Sequence, residues 1–350
     1  MGRVSPNPMV GAVIVNNGKI ISEGYHAQYG DHHAEIVAIK NAKSDITGAT
    51  MYVTLEPCSH YGKTPPCTHA IIQAQIQRVV IGCIDPDPLV NMKGFNALKK
   101  HGIEVQIGPL EAECQELIAG FTRHRQFGIP LTTIKFAQSL DGRIATATGH
   151  SRWISSQTSL KFAHELRRQH DAVMVGIGTV LADDPQLNLR HVTGVNPMRI
   201  VIDSKLRIPL SSRLLTASDI SKTILVTTAS APASKIEQIR NNGVQIIIAE
   251  QNGAHQIDIV ALWKKLGSRG ITTLLVEGGA ELITSILKNR LADRVVVFVA
   301  PIIIGSGVPA IKNLSILQIG NSIKISETEW HRSDRDMIVK GSLIYPEQEP

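Results

Sequence analysis

At 350 residues and 38.0 kDa the chain is longer than one compact core usually holds, so two domains are expected. Hydrophobic residues make up 43% and charged residues 19%, which argues against general disorder, and no apolar run approaches the ~18 residues of a membrane span. The formal charge of +6 is uneven: residues 1–128 balance 11 Lys and Arg against 11 Asp and Glu and hold all four cysteines, whereas the remainder has 25 cations against 19 anions.

In chain order, Val10 to Val15, the Asn16-Asn17-Gly18 turn and Lys19 to Glu23 read as a β-hairpin, because Asn-Gly tolerates the positive φ of such a turn. A helix over Ala34 to Ala42 opens directly after His33, followed by a strand at Thr50 to Leu55, a helix at Thr68 to Gln75 and a strand at Arg78 to Asp85. A helix around Phe95 to Lys100, a strand at Ile103 to Ile107 and one long helix over Leu110 to Phe127 complete the first half. Gly128-Ile129-Pro130 then breaks the pattern and marks the domain boundary. The second half begins with a strand at Leu131 to Ala137. Apolar, β-branched runs recur at Ala172 to Val175, Arg199 to Ile202, Thr223 to Thr227, Val244 to Ile248, Thr272 to Val276 and Arg294 to Val299. Helical stretches lie between several of them, around Thr158 to Gln169, Ala233 to Arg240, Ile257 to Leu266 and Ala280 to Leu287. Near-continuous apolar strands separated by helices indicate an α/β sheet covered on both faces.

Pro6, Asn7 and Pro8 stand where a signal peptide needs an apolar stretch, so export is not expected. Four cysteines are too few for a disulfide scaffold, which favours a reducing, cytoplasmic setting. There is no Lys/Arg block and no aromatic RNA-binding signature, so nucleic acid is a weak reading and a pocket for small anions at least as good a one.

One imidazole and two thiols carry the chemistry of the first half. His33, Cys58 and Cys67 are ligand types that zinc prefers, and three of them leave a tetrahedral position for water. Glu35, two residues past His33 at a helix start, is close enough to take a proton from that water without being a ligand. This is the His-x-Glu and Pro-Cys signature of zinc nucleobase deaminases, with one departure: eight residues separate Cys58 from Cys67 instead of two. A structural zinc site and a pair of buried thiols are the alternatives. Cys83, in an apolar strand, and Cys114, on a helix face, read as packing or surface thiols, and His32 is spaced wrongly to be a ligand.

Taken with Pro6-Asn7-Pro8-Met9-Val10-Gly11, Gly24-Tyr25-His26 and the run from Tyr52 through Glu56-Pro57-Cys58-Ser59-His60 to Cys67, the chain resembles the bifunctional riboflavin-biosynthesis enzymes that join a pyrimidine deaminase to a pyrimidine reductase. The eight-residue spacing is normal in that family. The resemblance implies that His33, Cys58 and Cys67 hold zinc, that Glu35 shuttles protons, and that Asn7, His26, His60 and Lys63 line the substrate pocket. Relatives usually carry a helix of several turns ahead of the Asn-Pro segment, whereas five residues precede Pro6. Either the sequence starts at an internal methionine or that helix is absent, and its loss would expose part of the deaminase core.

The second half resembles the family's reductase in Lys135 to Arg143, Ser151-Arg152-Trp153-Ile154 and Gly176 to Pro185. No Gly-x-Gly-x-x-Gly opens a helix after a first strand, so an ordinary Rossmann fingerprint is lacking. Val276-Glu277-Gly278-Gly279-Ala280 is more telling, since glycines between a strand and a helix let backbone N–H groups approach a pyrophosphate. A glycine-rich turn without a ligand is the alternative there. By resemblance, the fold is α/β throughout, with a cytidine-deaminase-like domain (a mixed sheet with flanking helices) over 1–128 and a dihydrofolate-reductase-like domain over 131–350. The implied reaction moves hydride from NADPH to C1′ of a ribosylamine, with Lys135 and Asp183 as candidate acids. Cofactor positions correspond to Ala137, Trp153, Thr179, Asp183 and Ser204. The start of the last helix adds Gly279, Ala280, Glu281 and Leu282, then Ile283, Thr284 and Ser285. Substrate positions correspond to Ser151, Arg167, Leu187, Arg190 and Glu277, the two arginines being suited to a 5′-phosphate.

The reading is a cytoplasmic homo-oligomer acting on a phosphorylated pyrimidine with zinc and NADPH, and with no nucleic-acid or membrane partner. Two rivals are a nucleoside or nucleic-acid deaminase fused to an unrelated oxidoreductase, and a zinc-stabilised binding module. The neutral charge of residues 1–128 opposes a nucleic-acid partner, and Glu35 opposes a purely structural zinc.

Overall fold

Asn17 (φ 49°) and Gly18 (φ 72°) both occupy the left-handed region that a two-residue hairpin turn needs, and they join β1 (Gly11–Asn16) to β2 (Lys19–Tyr25). The computed structural model describes residues 4–61, 65–88, 90–253 and 256–347, and the chain forms two compact units, Met1–Ile129 and Pro130–Pro350. In the first unit there follow α1 (Ala34–Asn41), β3 (Thr50–Leu55), α2 (Cys67–Gln73), β4 (Arg78–Cys83), α3 (Lys93–Lys100), β5 (Glu104–Ile107), α4 (Glu111–Leu117) and α5 (Ala119–Phe127). Among the described residues these strands form one sheet in the order β2-β1-β3-β4-β5, antiparallel as far as β3 and parallel beyond it. Met51, Val53 and Leu55 alternate inward along β3, while nearly every residue of β4, between β3 and β5, is buried. Ile14, Met51, Ile71, Ile81 and Leu98 make the core between sheet and helices.

The long helix expected over Leu110 to Phe127 is two helices, broken at Ile118 (φ −103°, ψ 10°). Ile118 stays buried in a small cluster with Leu55, Cys83 and Cys114, and keeping that side chain packed takes the backbone out of helical geometry. Both remaining cysteines are therefore core residues. Gly128 (φ 70°) closes α5 in the left-handed conformation that favours glycine.

The second unit runs β6 (Leu131–Ser139), β7 (Arg143–Thr146), α6 (Gln157–Gln169), β8 (Ala172–Gly176), α7 (Ile177–Asp183), β9 (Met198–Ile202), β10 (Thr223–Thr227), α8 (Ala233–Asn241), β11 (Gln245–Ile248) and α9 (Ile259–Gly267). It continues through β12 (Thr273–Glu277), α10 (Ala280–Lys288), β13 (Arg294–Ala300), β14 (Gly307–Pro309), β15 (Lys324–Ser333) and β16 (Asp336–Ile344). The main sheet of described residues is nine-stranded, β11-β10-β9-β8-β12-β6-β13-β16-β15, parallel up to β13 and antiparallel in its last two pairings. From β6 the chain crosses to β8 and steps outward to β11, then returns to place β12 between β8 and β6. That reversal leaves a crevice at the carboxyl ends of these strands, the usual ligand position in open α/β sheets. The β15–β16 hairpin was not among the expected elements. β15 is an edge strand exposed along almost its whole length, so its sequence carries no apolar run. No helix among the described residues is long and apolar enough to cross a membrane.

Candidate functional site

Two helix starts bring the metal-ligand residues of the first unit together. His33 is the N-cap of α1, and Cys67 is the first residue of α2, behind Pro66. Cys58 comes from the segment after β3, where its carbonyl accepts the Thr68 N–H and its sulfur the Cys67 N–H at 3.3 Å. The ligand atoms of His33, Cys58 and Cys67 all lie within 4.8 Å of one another. His33 Nδ1 is 3.2 Å from Cys67 Sγ and 3.6 Å from Cys58 Sγ. Bonds of about 2.3 Å to sulfur and 2.0 Å to nitrogen at a tetrahedral angle place zinc donors roughly 3.5–3.8 Å apart. The donor set thus fits zinc, and Cys58 and Cys67 meet despite the eight residues between them.

Electrostatics leave one of the two sulfurs ionised. A hydrogen bond from Cys67 pulls the Cys58 thiol down to about 4, and the same bond pushes Cys67 up, so the pair shares one proton. His33 is raised, chiefly by its hydrogen bond to Cys58. Glu35, in the first turn of α1, is 3% exposed, and burial pushes its carboxyl up to about 7.

Asn7 Nδ2 lies 3.1 Å from His26 Nε2, while His26 Nδ1 is 3.1 Å from the His32 carbonyl. A carbonyl can only accept, so the His26 proton sits on Nδ1 and Nε2 accepts from Asn7. The His26 and His33 rings meet edge to face at 5.7 Å, which places Asn7 and His26 beside the metal ligands. His60 is exposed on the loop after Cys58, and Lys63 lies outside the described residues.

In the second unit the carboxyl ends of β6 and β12 bring Lys135 and Glu277 side by side as register partners. Arg167, from α6, grips Glu277 through two nitrogens, with Nη2 to Oε2 at 2.9 Å, and donates Nη1 to the Asn188 carbonyl at 3.1 Å. Burial would raise the Glu277 carboxyl, but the Arg167 guanidinium holds it down to about 2. Burial lowers the Lys135 ammonium, which sits 4.9 Å above the Phe298 ring, against the opposing pull of Glu277.

These groups border a cavity of about 1340 Å³. Ala137, Ser151, Thr179, Asp183, Leu187 and Ser204 line it, together with Gly279, Ala280, Glu281, Leu282, Thr284 and Ser285 from the start of α10. Gly278 and Gly279 both have φ 83°, a conformation that only glycine adopts without strain, and they bare the first N–H groups of α10 toward the cavity. A dinucleotide with a pyrophosphate fits that arrangement in size and in charge. Ile283 does not line the cavity: on the opposite face of α10 it is wholly buried in the core. Trp153 and Arg190 border an adjoining pocket of about 510 Å³ that shares Asp183 and Pro185 with the larger one. Ser151 Oγ is 3.5 Å from Asp183 Oδ1.

Arg207 and Lys312 also line the large cavity and escaped the sequence reading. Arg207 follows Ser204 by three residues, a usable signal, but Lys312 arrives from the segment after β14, which carries none. Lys312 ion-pairs with Glu281 at 2.6 Å.

Comparison with known proteins gives three concordant findings. Residues 2–83 match the cytidine and deoxycytidylate deaminase zinc-binding region, and residues 130–339 match the RibD C-terminal domain. The riboflavin biosynthesis protein RibD of Aquifex aeolicus is 43% identical over 97% of this chain and 93% of its own length; that of Actinobacillus pleuropneumoniae is 39% identical over 99% and 92%. Among solved structures, the Thermotoga maritima diaminohydroxyphosphoribosylaminopyrimidine deaminase/5-amino-6-(5-phosphoribosylamino)uracil reductase is similar with a TM-score of 0.84 and 35% identity, over 98% of this chain and 94% of that one. Acinetobacter baumannii RibD superposes with a TM-score of 0.85 at 33% identity, over 98% of this chain and 94% of that one.

Proposed function

The chain belongs to the RibD family of riboflavin biosynthesis, and from that premise we propose that residues 1–128 carry the zinc-dependent pyrimidine deaminase and residues 131–350 the NADPH-dependent reductase. The fold class is the expected one, a cytidine-deaminase-like unit followed by a dihydrofolate-reductase-like one. The substrate is 2,5-diamino-6-(ribosylamino)-4(3H)-pyrimidinone 5′-phosphate, which loses its 2-amino group as ammonia; the deaminated product is then reduced at the ribosyl group. The observation carrying this reading is the grouping of His33, Cys58 and Cys67 with a buried carboxylate, Glu35, two residues from the histidine.

Zinc, when bound, lowers the pKa of a coordinated water towards ~7. Glu35 accepts the proton given up there and passes it to the departing amine. Asn7 and His26, fixed against each other, read the pyrimidinone edge, and the family resemblance adds His60 and Lys63 as substrate contacts. In the second unit Gly279, Ala280, Glu281, Leu282, Thr284 and Ser285 would hold NADPH, which when bound would supply the hydride for C1′. The sugar must open before it accepts hydride, and Lys135 or Asp183 gives the proton to the ring oxygen. Ser151, Leu187 and Glu277 hold the ribosyl part. Arg190 takes the 5′-phosphate in preference to Arg167, whose donors are engaged by Glu277 and Asn188.

Ammonia release and NADPH oxidation, assayed on the same protein, test both halves. Glu35→Gln abolishes ammonia release and leaves reduction of the deaminated substrate intact; equal release by variant and wild type would refute the deaminase assignment. Lys135→Ala and Asp183→Ala do the converse, losing NADPH oxidation while still releasing ammonia. We place the enzyme in the cytoplasm, where the thiol ligands stay reduced. It forms a homo-oligomer, a reading supported by the exposed Trp330 and Met337 on the edge hairpin β15–β16 and by Leu317 and Ile319 ahead of it.

A further inference from the structure

Four backbone N–H groups of the first unit converge on one carboxylate. Glu56, directly after β3, is 4% exposed. Its Oε2 accepts from the N–H of Asp85 at 3.2 Å and of Met92 at 3.0 Å, and its Oε1 from Gly94 at 2.8 Å and Phe95 at 3.1 Å. Met92, Gly94 and Phe95 are the N-cap and first turn of α3, whose own N-cap side chain makes no capping bond. A side chain from a different strand thus satisfies the helix end. Packing at this joint is as close as the hydrogen bonding, since a Cβ on Gly94 would lie 2.0 Å from the Pro57 carbonyl oxygen. The Glu56 N–H is itself committed, to the Cys83 carbonyl at the end of β4 at 3.0 Å. Among the described residues no Lys or Arg pairs with this carboxylate, so the N–H groups alone hold its charge.

Two residues further on stands Cys58. Pro57 between them has a fixed φ, so few soft dihedrals separate the anchored carboxylate from the sulfur. We propose that Glu56 is a positioning residue of the metal centre: by gathering the 85–95 segment onto itself, it fixes the Glu56-Pro57-Cys58 backbone and aims the Cys58 sulfur at His33 and Cys67. The proposal rests on the reading of those three residues as zinc ligands. It also explains why a carboxylate is needed. Each oxygen accepts two N–H groups, whereas the amide nitrogen of a glutamine would turn donors towards donors.

The test uses the full-length, zinc-loaded enzyme, with zinc affinity measured by competition against a chromogenic chelator. Glu56→Gln attacks the joint at the carboxylate, and Gly94→Ala from the opposite side by pushing on Pro57. Each is expected to weaken zinc binding about 10–100-fold, the range found when groups behind metal ligands are altered. Each also lowers the deaminase rate at limiting zinc, saturating zinc restores that rate, and the NADPH-dependent reduction stays at its wild-type value. Wild-type zinc affinity in both variants, even with lowered melting temperatures, would make Glu56 a stability residue only and overturn the proposal. Amide exchange in the wild-type protein gives a measurement independent of how the variants fold. If the joint is coupled to the metal, removing zinc must speed exchange at Asp85, Met92, Gly94 and Phe95; unchanged protection there overturns the proposal as well. A wild-type protein that binds no zinc would refute the ligand assignment itself.

Discussion

His164, on α6, has no exposed surface, and its ring lies 4.7 Å from that of His191. Its Nδ1 accepts the Arg190 N–H at 3.2 Å, so the proton resides on Nε2, which is buried without a hydrogen-bond partner among the described residues. Burial lowers its pKa to about 4, and the charges of Arg167 and Arg190 push the same way while Glu277 opposes them. The unfolded chain, with an ordinary histidine near ~6.5, takes up a proton between these two values that the native state refuses. The stability tied to this residue is therefore complete above about pH 6.5 and is lost as the pH falls towards 4. Urea midpoints of the wild type are expected to fall across that window. His164→Leu, which leaves the Arg190 N–H unpaired, should lose about 1–2 kcal/mol at pH 7 yet show a flatter acid limb. An unchanged slope in the variant would remove His164 from the explanation. The residue matters to function because its backbone partner, Arg190, borders the pocket beside Asp183. Nothing in the sequence singled it out: a histidine on a helix becomes unusual only when its surroundings are known.

Elements place the chemistry, and some announced themselves better than others. The segment from Tyr52 to Cys67 carries two candidate ligands at an unusual spacing, so the candidate metal centre became legible only when His33-x-Glu35, Pro57-Cys58 and the family resemblance were taken together. The Glu277-Gly278-Gly279 junction was legible as a strand-to-helix turn, with or without a ligand, because consecutive glycines suit such a turn. Their φ of 83° accounts for the glycines themselves. A Cβ at Gly279 would meet Thr179 Oγ1 at 3.6 Å and Leu282 Cβ at 3.8 Å, so space is not the obstacle and the backbone conformation is. Gly279→Ala is expected to cost about 1–2 kcal/mol through the left-handed conformation, or to relax it and withdraw the N–H groups of α10. Either route weakens NADPH binding, which a fluorescence titration would show as a raised Kd with ammonia release unchanged. Wild-type NADPH affinity in the variant would mean that the junction does not hold the cofactor. β15 was illegible because an exposed edge strand has no buried face to imprint on its sequence, and the break at Ile118 because it answers to tertiary packing on Cys83 and Cys114.

At the scale of the whole molecule, the metal ligands all fall between residues 33 and 67, and the residues lining the large cavity all fall between 135 and 313. Each unit builds its site on its own sheet and core. The charge asymmetry follows the same division: the neutral first part gathers an imidazole and two thiols that could hold a metal, whereas Arg207, Lys288 and Lys312 make the cavity of the second hospitable to phosphates. That cavity gathers its residues from ten strands and helices and from loops between them, which is why motifs recovered its glycines but not Lys312. The two chemistries should then be separable by removing the metal alone. Dialysis against a strong chelator is expected to stop ammonia release from the diamino substrate. The same sample, given the deaminated substrate and NADPH, should continue to oxidise NADPH at its former rate and bind it with an unchanged Kd. Zinc added back restores ammonia release without altering the second rate. Loss of both activities on chelation would show that the reductase depends on a metal too. Because none of the cavity's lining residues is among His33, Cys58 and Cys67, that outcome would have to come from a ligand set other than the one identified.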